Sequence, residues 1–179
     1  MKKRAEMDSD KYIGFKDRKS KVLFLKYALP CSENEEELLK TIEKDREPEE
    51  NLEDSFSMAV NMLRITANEK NKEKIDEETI REYFWFKHAE ILKENNPEKK
   101  KEEISECLVL PGKIIDEKKG KNRTKVKLIN SERREVNSKL LDKGNEGSWV
   151  VIHRDYASEG INEEDKEEIR KFLEGLDLI

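Results

Sequence analysis

A thiol and an imidazole flank two apolar runs in the second half of the chain. Cys107 opens the run of residues 108–115, and His153 closes the run of residues 149–152. A thiolate binds soft or borderline metal ions or attacks a partner, and an imidazole binds the same metals or accepts a proton. Each residue also has a plain structural explanation. Cys107 fits a small apolar residue at a strand edge, and His153 fits a strand-end side chain bonded to a backbone carbonyl.

The other cysteine and histidine point less clearly to chemistry. Cys31 follows Pro30, as a core or helix-boundary thiol would, and His88 fits a surface or half-buried position on a helix. The start of the chain is charged rather than apolar, so we expect reduced thiols and a cytoplasmic protein. The sequence contains no phosphate-binding glycine loop, nucleophile elbow or zinc-finger cysteine spacing, which favours a protein that is not an enzyme.

The composition narrows the classes of partner. Charged residues make up 44% of the chain and hydrophobic residues 34%, and the net charge is -5. The charge is mostly Lys and Glu, a bias typical of thermophiles. Acidic and basic residues are mixed along the chain, which argues against the basic stripe that nucleic acids require. No apolar run approaches the ~20 residues of a membrane span, so no membrane partner is expected.

The first half has the 3.6-residue period of helices. Apolar stripes predict helices over residues 20–29, from Glu35 after a capping box at Ser32, over 52–67 in one piece, and from an Asp76 cap to residue 94. They define a helical domain of residues 18–94 behind a flexible N-terminus of residues 1–17. A polar stretch broken by Pro97 predicts a linker over residues 95–104.

The period changes to that of strands after the linker. Runs at 108–115, 124–129, 134–136 and 149–152, separated by glycine turns, predict a small antiparallel β-barrel. Pro111 and Gly112 predict a bend in the first strand. Asn162 predicts the cap of a final helix. The fold class is therefore α+β, with a helical domain before a β domain of residues 105–179.

The segment from Cys107 to Ile114, Cys-Leu-Val-Leu-Pro-Gly-Lys-Ile, resembles the opening Cys-Leu-Ala-Ile-Pro-Gly-Lys-Ile of the HypC/HupF/HybG family of hydrogenase-maturation chaperones. The hydrophobic strand ending in His153, the following Ala157 and the Glu-rich last helix fit the same pattern. The resemblance covers residues 107–176. The helical segment has no counterpart in it.

This resemblance implies an OB-like barrel with a C-terminal helix and a chaperone without catalytic turnover. Such a protein binds a maturation partner, transiently carries iron with its cyanide and carbon monoxide ligands, and delivers it to the large subunit of nickel-iron hydrogenase. Cys107 would contact iron and client, and His153 would be the second polar residue of the site. In the family that cysteine follows the initiator methionine, whereas Cys107 is internal.

Two alternatives from other classes stay open at this stage. OB-like barrels often bind single-stranded nucleic acids or ribonucleoproteins, which requires basic and aromatic residues on one face. An enzyme with Cys107 as nucleophile and His153 as base requires these side chains within hydrogen-bond reach.

Overall fold

The computed structural model describes residues 13–44, 51–98, 101–118, 122–142 and 146–179. A helical N-terminal region precedes a five-stranded sheet and a C-terminal helix, so the α+β class is confirmed. The helical elements are α1 (Arg18–Ala28), a 3-10 turn (Leu29–Cys31), α2 (Glu35–Glu43), α3 (Leu52–Ser55), α4 (Ser57–Glu69), α5 (Glu77–Glu82), a π-helical turn (Tyr83–Lys87), α6 (His88–Asn95) and α7 (Lys101–Ser105). The rest comprises β1 (Val109–Lys118), β2 (Arg123–Leu128), β3 (Arg133–Asn137), β4 (Trp149–His153), β5 (Tyr156–Ile161) and α8 (Glu163–Gly175).

The N-terminal stretch that was predicted to be flexible ends in packed structure. Residues 1–12 lie outside the described part of the chain. Ile13 is buried, and its carbonyl accepts a hydrogen bond from Arg64 Nε at 3.1 Å. Phe15 forms a parallel bridge with Ile75. Residues 13–17 therefore belong to the helical region, because two apolar side chains anchor them.

Helix α1 lies at the centre of the helical region. Its Asp17 cap accepts a hydrogen bond from Ser20 N at 2.9 Å. Phe24, Leu25 and Tyr27 are fully buried along it. The capping box predicted for α2 is wrong: the cap position is Asn34, and Ser32 Oγ accepts from Asn34 N at 3.0 Å instead.

Two helices predicted as continuous are interrupted. The stretch 52–67 divides into α3 and α4 at Phe56, whose φ of -133° is not helical. The helix after Asp76 contains a π-helical turn at the aromatic run. Successive α-helical residues point about 100° apart, so burying Tyr83, Phe84 and Trp85 together requires protein on several sides. The turn has protein on several sides, because Phe84 contacts Phe24 and Tyr27 of α1 and the turn also packs against α4, β1 and α8.

The sheet closes on itself in the strand order β1-β2-β3-β5-β4, with β1 also paired to β4. The neighbours are antiparallel except β3 and β5, which pair in parallel through Asn137 and Tyr156. The expectation of an entirely antiparallel sheet is wrong at that point. Strand β5 was not predicted. The OB-like assignment stays a prediction.

The motif residues Pro111 and Gly112 lie inside β1. The register of β1 shifts between Ile114 and Asp116 instead, so the irregularity falls later than the predicted bend. Gly112 pairs with both β2 and β4. A Cβ added there would lie 3.1 Å from Leu128 Cδ2 and 3.3 Å from Ile152 Cγ1. The glycine is needed because a side chain does not fit between these neighbours.

Gly112→Val is expected to lower the free energy of unfolding by about 2 kcal/mol, since overpacking a filled core forces its neighbours to move. Urea unfolding at neutral pH measures the change. Gly175→Val is the matched control, because nothing lies within 4 Å of a Cβ at Gly175. Equal losses in both variants would contradict the tight fit at Gly112.

In the described part of the chain, no helix is long and apolar enough to cross a membrane.

Candidate functional site

Cys107 lies where α7 turns into β1. Its backbone N–H donates to the carbonyl of Ile104 at 3.0 Å, and Leu108 N donates to Ser105 O at 3.3 Å. Ile104 is buried and anchors the short helix, while Cys107 is half-buried. The predicted linker of residues 95–104 therefore contains most of α7. The thiol is reachable from solvent at the edge of the sheet.

His153 is fully buried at the end of β4, opposite Val109 and Tyr156. Its Nδ1 lies 2.7 Å from the carbonyl oxygen of Tyr27 in α1. A carbonyl only accepts, so Nδ1 carries the proton and the neutral ring presents the lone pair of Nε2. The plain structural expectation of a backbone-bonded histidine is thus met, and the carbonyl comes from the helical region.

The lone pair of His153 Nε2 faces a thiol that the sequence did not single out. Cys31 Sγ lies 3.9 Å from it. Burial lowers the pKa of His153 to about 4, further lowered by Arg154, and the backbones of Tyr27 and Cys107 oppose this. The ring is therefore neutral at pH 7. Its Nε2 accepts from the Cys31 thiol or binds a cation.

Cys31 ends the 3-10 turn after α1 and is exposed as a residue. Desolvation of its sulfur nevertheless raises the pKa of the thiol, Arg154 lowers it, and Cys107 raises it. Arg154 contacts both Cys107 Sγ and the carbonyl of Pro30, the residue before Cys31, so both thiols belong to one neighbourhood. No spacing in the sequence indicates this, because 75 intervening residues fold before the two meet.

Arg154 brings a positive charge to both thiols. It occupies the turn between β4 and β5 with a φ of 52°. One guanidinium nitrogen donates to Cys107 Sγ at 3.8 Å, and the other terminal nitrogen donates to the carbonyl of Pro30 at 3.4 Å. The side chain therefore spans the gap between the start of the sheet and the end of α1. The sequence indicated Arg154 as a cation that could act on the Cys107 thiol, but its contact with Pro30 was not predicted.

His88, on α6, completes a cluster with Cys31, Cys107, His153 and Arg154. Its ring centroid lies 5.6 Å from that of His153, and Phe84 lies beside both rings. His88 Nδ1 is buried without a hydrogen-bond partner. Burial, followed by His153 and Arg154, lowers the pKa of His88 to about 3. The expected half-buried helix position is correct, but it faces the site.

The cluster is held by polar contacts between the helical region and the sheet. Tyr27 OH donates to Glu159 Oε1 at 2.5 Å, and Trp85 Nε1 donates to Tyr27 OH at 2.7 Å. Arg81 binds both oxygens of Glu159, at 3.0 Å and 2.9 Å. These bonds fix α1 against β5. They thereby position the Tyr27 carbonyl that orients His153.

The arrangement does not support a Cys107 and His153 catalytic pair. Among the described hydrogen bonds, the Cys107 thiol pairs with Arg154, whereas His153 faces Tyr27 and Cys31. A histidine with a pKa of about 4 is also a weak base at neutral pH.

In the described part of the sheet, the two aromatics that were predicted for the barrel do not form a free face for single strands. Trp149 lies under the ammonium groups of Lys113 and Lys166, 5.9 Å and 4.8 Å from the ring centroid. Tyr156 is buried and hydrogen-bonded to Glu35. Both predicted barrel aromatics therefore contact other side chains of this protein and are not free to stack on bases.

No group of three His, Cys, Asp or Glu side chains is arranged to hold a metal ion in the described part of the chain. Arg154 instead contacts the Cys107 thiol and the carbonyl of Pro30, next to Cys31. Thiols and imidazoles are nonetheless suitable ligands for an iron cargo.

Comparison with known proteins bears on the same segment. Residues 107–173 match the sequence model of the HupF/HypC family, so the resemblance seen at Cys107 is confirmed for the C-terminal part of the chain. No curated protein and no solved structure gave a match.

Proposed function

We propose that this protein is a non-catalytic, cytoplasmic chaperone or scaffold of hydrogenase maturation. It binds a maturation protein or the hydrogenase large subunit through the surface around Cys107, and it carries iron transiently on that thiol. The observation that carries the proposal is the family match, which begins at Cys107 and includes His153.

The surroundings of Cys107 are consistent with this role. The residue is half-buried, so a partner reaches the sulfur without unfolding the sheet. The neighbouring Glu106 is exposed, and Arg154 places a cation against the sulfur. A mixed charged rim around a reachable thiol suits a transient protein contact.

The internal position of Cys107 changes how such a chaperone works. Its nitrogen is an amide that donates to Ile104 O, so it offers no free amino group. Partner binding therefore depends on the thiol and the surface around it. On the side that faces α1, Tyr27 and Cys31 of the helical region contact His153. The partner therefore approaches Cys107 from the other side, which is open to solvent.

Cys107→Ser tests the proposal. We expect capture of a hydrogenase-maturation protein or the large subunit to weaken at least about 10-fold, as for a residue at the centre of an interface. The free energy of unfolding should change by less than about 1 kcal/mol, because a half-buried hydroxyl stays hydrated. Affinity measured with purified partners and urea unfolding provide the two readouts.

Glu36→Ala is the control, because it alters an exposed residue outside the matched segment of residues 107–173 and keeps the thiol. It should leave partner affinity within about 2-fold, well under the change assigned to an interface centre. A Cys107→Ser variant that loses roughly 1–3 kcal/mol of stability but captures partners normally would defeat the proposal. Cys107 would then be a packing residue.

A further inference from the structure

A cleft of about 760 Å³ lies where the helical region meets the sheet. Its lining comes from α1, α2, α5, β5 and the chain that follows β3. Among the described residues, neither Cys107 nor His153 lines it, so the cleft is separate from the surface around the thiol. A volume of this size is typical of sites that bind small organic molecules.

A buried ammonium group lines this cleft. Lys26 is a residue of α1 and is only 8% exposed. Its Nζ donates to Asp142 Oδ2 at 3.1 Å. An ammonium has three N–H donors, and within the described part of the chain Asp142 is their acceptor. Because a buried charge is costly unless it is paired and hydrogen-bonded, Lys26 has the capacity to bind a further anionic acceptor.

The carboxylate that pairs with Lys26 is easily displaced. The Asp142 side chain is 92% exposed, whereas the Lys26 side chain is 11% exposed. Water competes for an exposed carboxylate, so the pair holds Asp142 only weakly. When another carboxylate takes its place, Lys26 stays paired and Asp142 becomes fully hydrated. The ion pair within the protein therefore shows which chemical group the cleft accepts.

The rest of the lining suits an anion that carries a hydrocarbon chain. Val22, Leu23 and Ile42 provide apolar surface from α1 and α2. Arg81 and Glu159 also line the cleft, but they bind each other at 3.0 Å and 2.9 Å. Their opposite charges cancel, so this pair neither attracts nor repels an anion strongly.

The remaining charges of the cleft favour an anion. Arg18 and Lys19 are exposed on the α1 side of the lining, and Glu77 is half-buried on the α5 side. Two cations thus face one acid beside the ion pair of Lys26. This local excess of positive charge stands out in a chain whose net charge is -5.

We propose that this cleft binds an organic carboxylate with a hydrocarbon chain. The carboxylate of the ligand replaces that of Asp142 on the Lys26 ammonium and accepts a charge-assisted hydrogen bond. The hydrocarbon chain packs against Val22, Leu23 and Ile42, and its removal from water supplies the rest of the binding free energy.

Isothermal titration calorimetry of the full-length protein with octanoate, octanol and inorganic phosphate tests the proposal. Octanoate should bind with a Kd on the order of 0.1 mM, as expected for a ligand of its size. Octanol has the chain without the charge, and phosphate has a charge without the chain. Each should therefore bind at least about 10-fold more weakly than octanoate.

Two substitutions at the ion pair should change the affinity for octanoate in opposite directions. Lys26→Met keeps a long apolar side chain but removes the charge, so it should weaken binding at least about 10-fold. Asp142→Asn removes the competing carboxylate and should strengthen binding about 2- to 5-fold. Lys40→Met is the matched control, because Lys40 also pairs with an exposed glutamate, Glu36, but lies outside the cleft.

The proposal is overturned by a wild-type Kd in Lys26→Met, by weaker binding in Asp142→Asn, or by no octanoate binding at millimolar concentration. Octanol that binds as tightly as octanoate would show a purely apolar cleft, and equally tight phosphate would show a site for small anions. Either result also contradicts the proposal. If Lys26→Met fails to fold, Asp142→Asn decides alone, because its side chain is exposed.

The outcome is independent of the chaperone role. Cys107→Ser should bind octanoate as the wild type does, since Cys107 does not line the cleft. Partner capture is measured without octanoate. Failure of either proposal therefore leaves the other standing.

Discussion

Glu159→Ala is expected to lower the free energy of unfolding by roughly 3 kcal/mol. Removing one partner from a buried ionic network leaves the others without compensation. The Glu159 side chain is only 13% exposed, and it accepts from Tyr27 and Arg81 at once. Its loss leaves a fully buried tyrosine hydroxyl without its acceptor.

Urea unfolding at neutral pH measures this loss, and the midpoint of thermal unfolding should fall by roughly 6–12 °C. Tyr27→Phe should cost less, about 1–2 kcal/mol, because it removes a hydroxyl and no charge. Glu36→Ala is the matched control: its ion pair with Lys40 is exposed and screened by water, so its loss should leave stability nearly unchanged. If Glu159→Ala and Glu36→Ala proved equally mild, the network would not hold α1 against β5.

Mild acid is expected to destabilise the protein before its carboxylates titrate. The pKa of His153 is about 4 in the folded state, against 6.5 for the unperturbed group, because burial disfavours the charged ring. Between these values the unfolded chain binds more protons than the folded one. Stability is therefore fully present above pH 6.5 and decreases as the pH falls toward 4, by about 3 kcal/mol for His153. His88 acts in the same direction, since its pKa is about 3.

The free energy of unfolding, measured in steps from pH 7.5 to about pH 5, checks this expectation in the range where histidines titrate. His153→Gln keeps a donor for the Tyr27 carbonyl but cannot titrate, so its stability should depend less steeply on pH. Glu33→Ala, at an exposed position near Cys31, is the control, because it leaves the buried imidazoles in place. Identical slopes for the wild type and His153→Gln would show that His153 is not held neutral by its surroundings.

Local patterns predicted much of the fold. The Asp76 and Asn162 caps both form as expected, because a cap depends on a few adjacent residues. The strands before residue 154 were found from their β-branched runs. Cys107 and His153 were found because each borders such a run. These features depend on residues that are close together in the sequence, so the periodicity of apolar residues predicts them directly.

The missed features depend on distant contacts. Strand β5 contains Ala157, Ser158 and Gly160, which lack the bulky alternation of a strand, and it is held by pairing with β4. The π-helical turn follows from packing of aromatics on several sides. Cys31 and Arg154 become part of the site only in the folded protein, where α1 meets the sheet. The chemistry of a site at such a junction cannot be read from either segment alone.

The hydrogen bond between Tyr27 O and His153 Nδ1 places the site and the junction of the two regions at the same atoms. Occupancy of the site and seating of the helical region are therefore thermodynamically linked. A ligand that binds only when Cys31 faces His153 makes separation of the regions more costly, and tighter seating raises its affinity by the same factor. Under the proposed function, the helical region therefore influences how readily the site is filled and emptied.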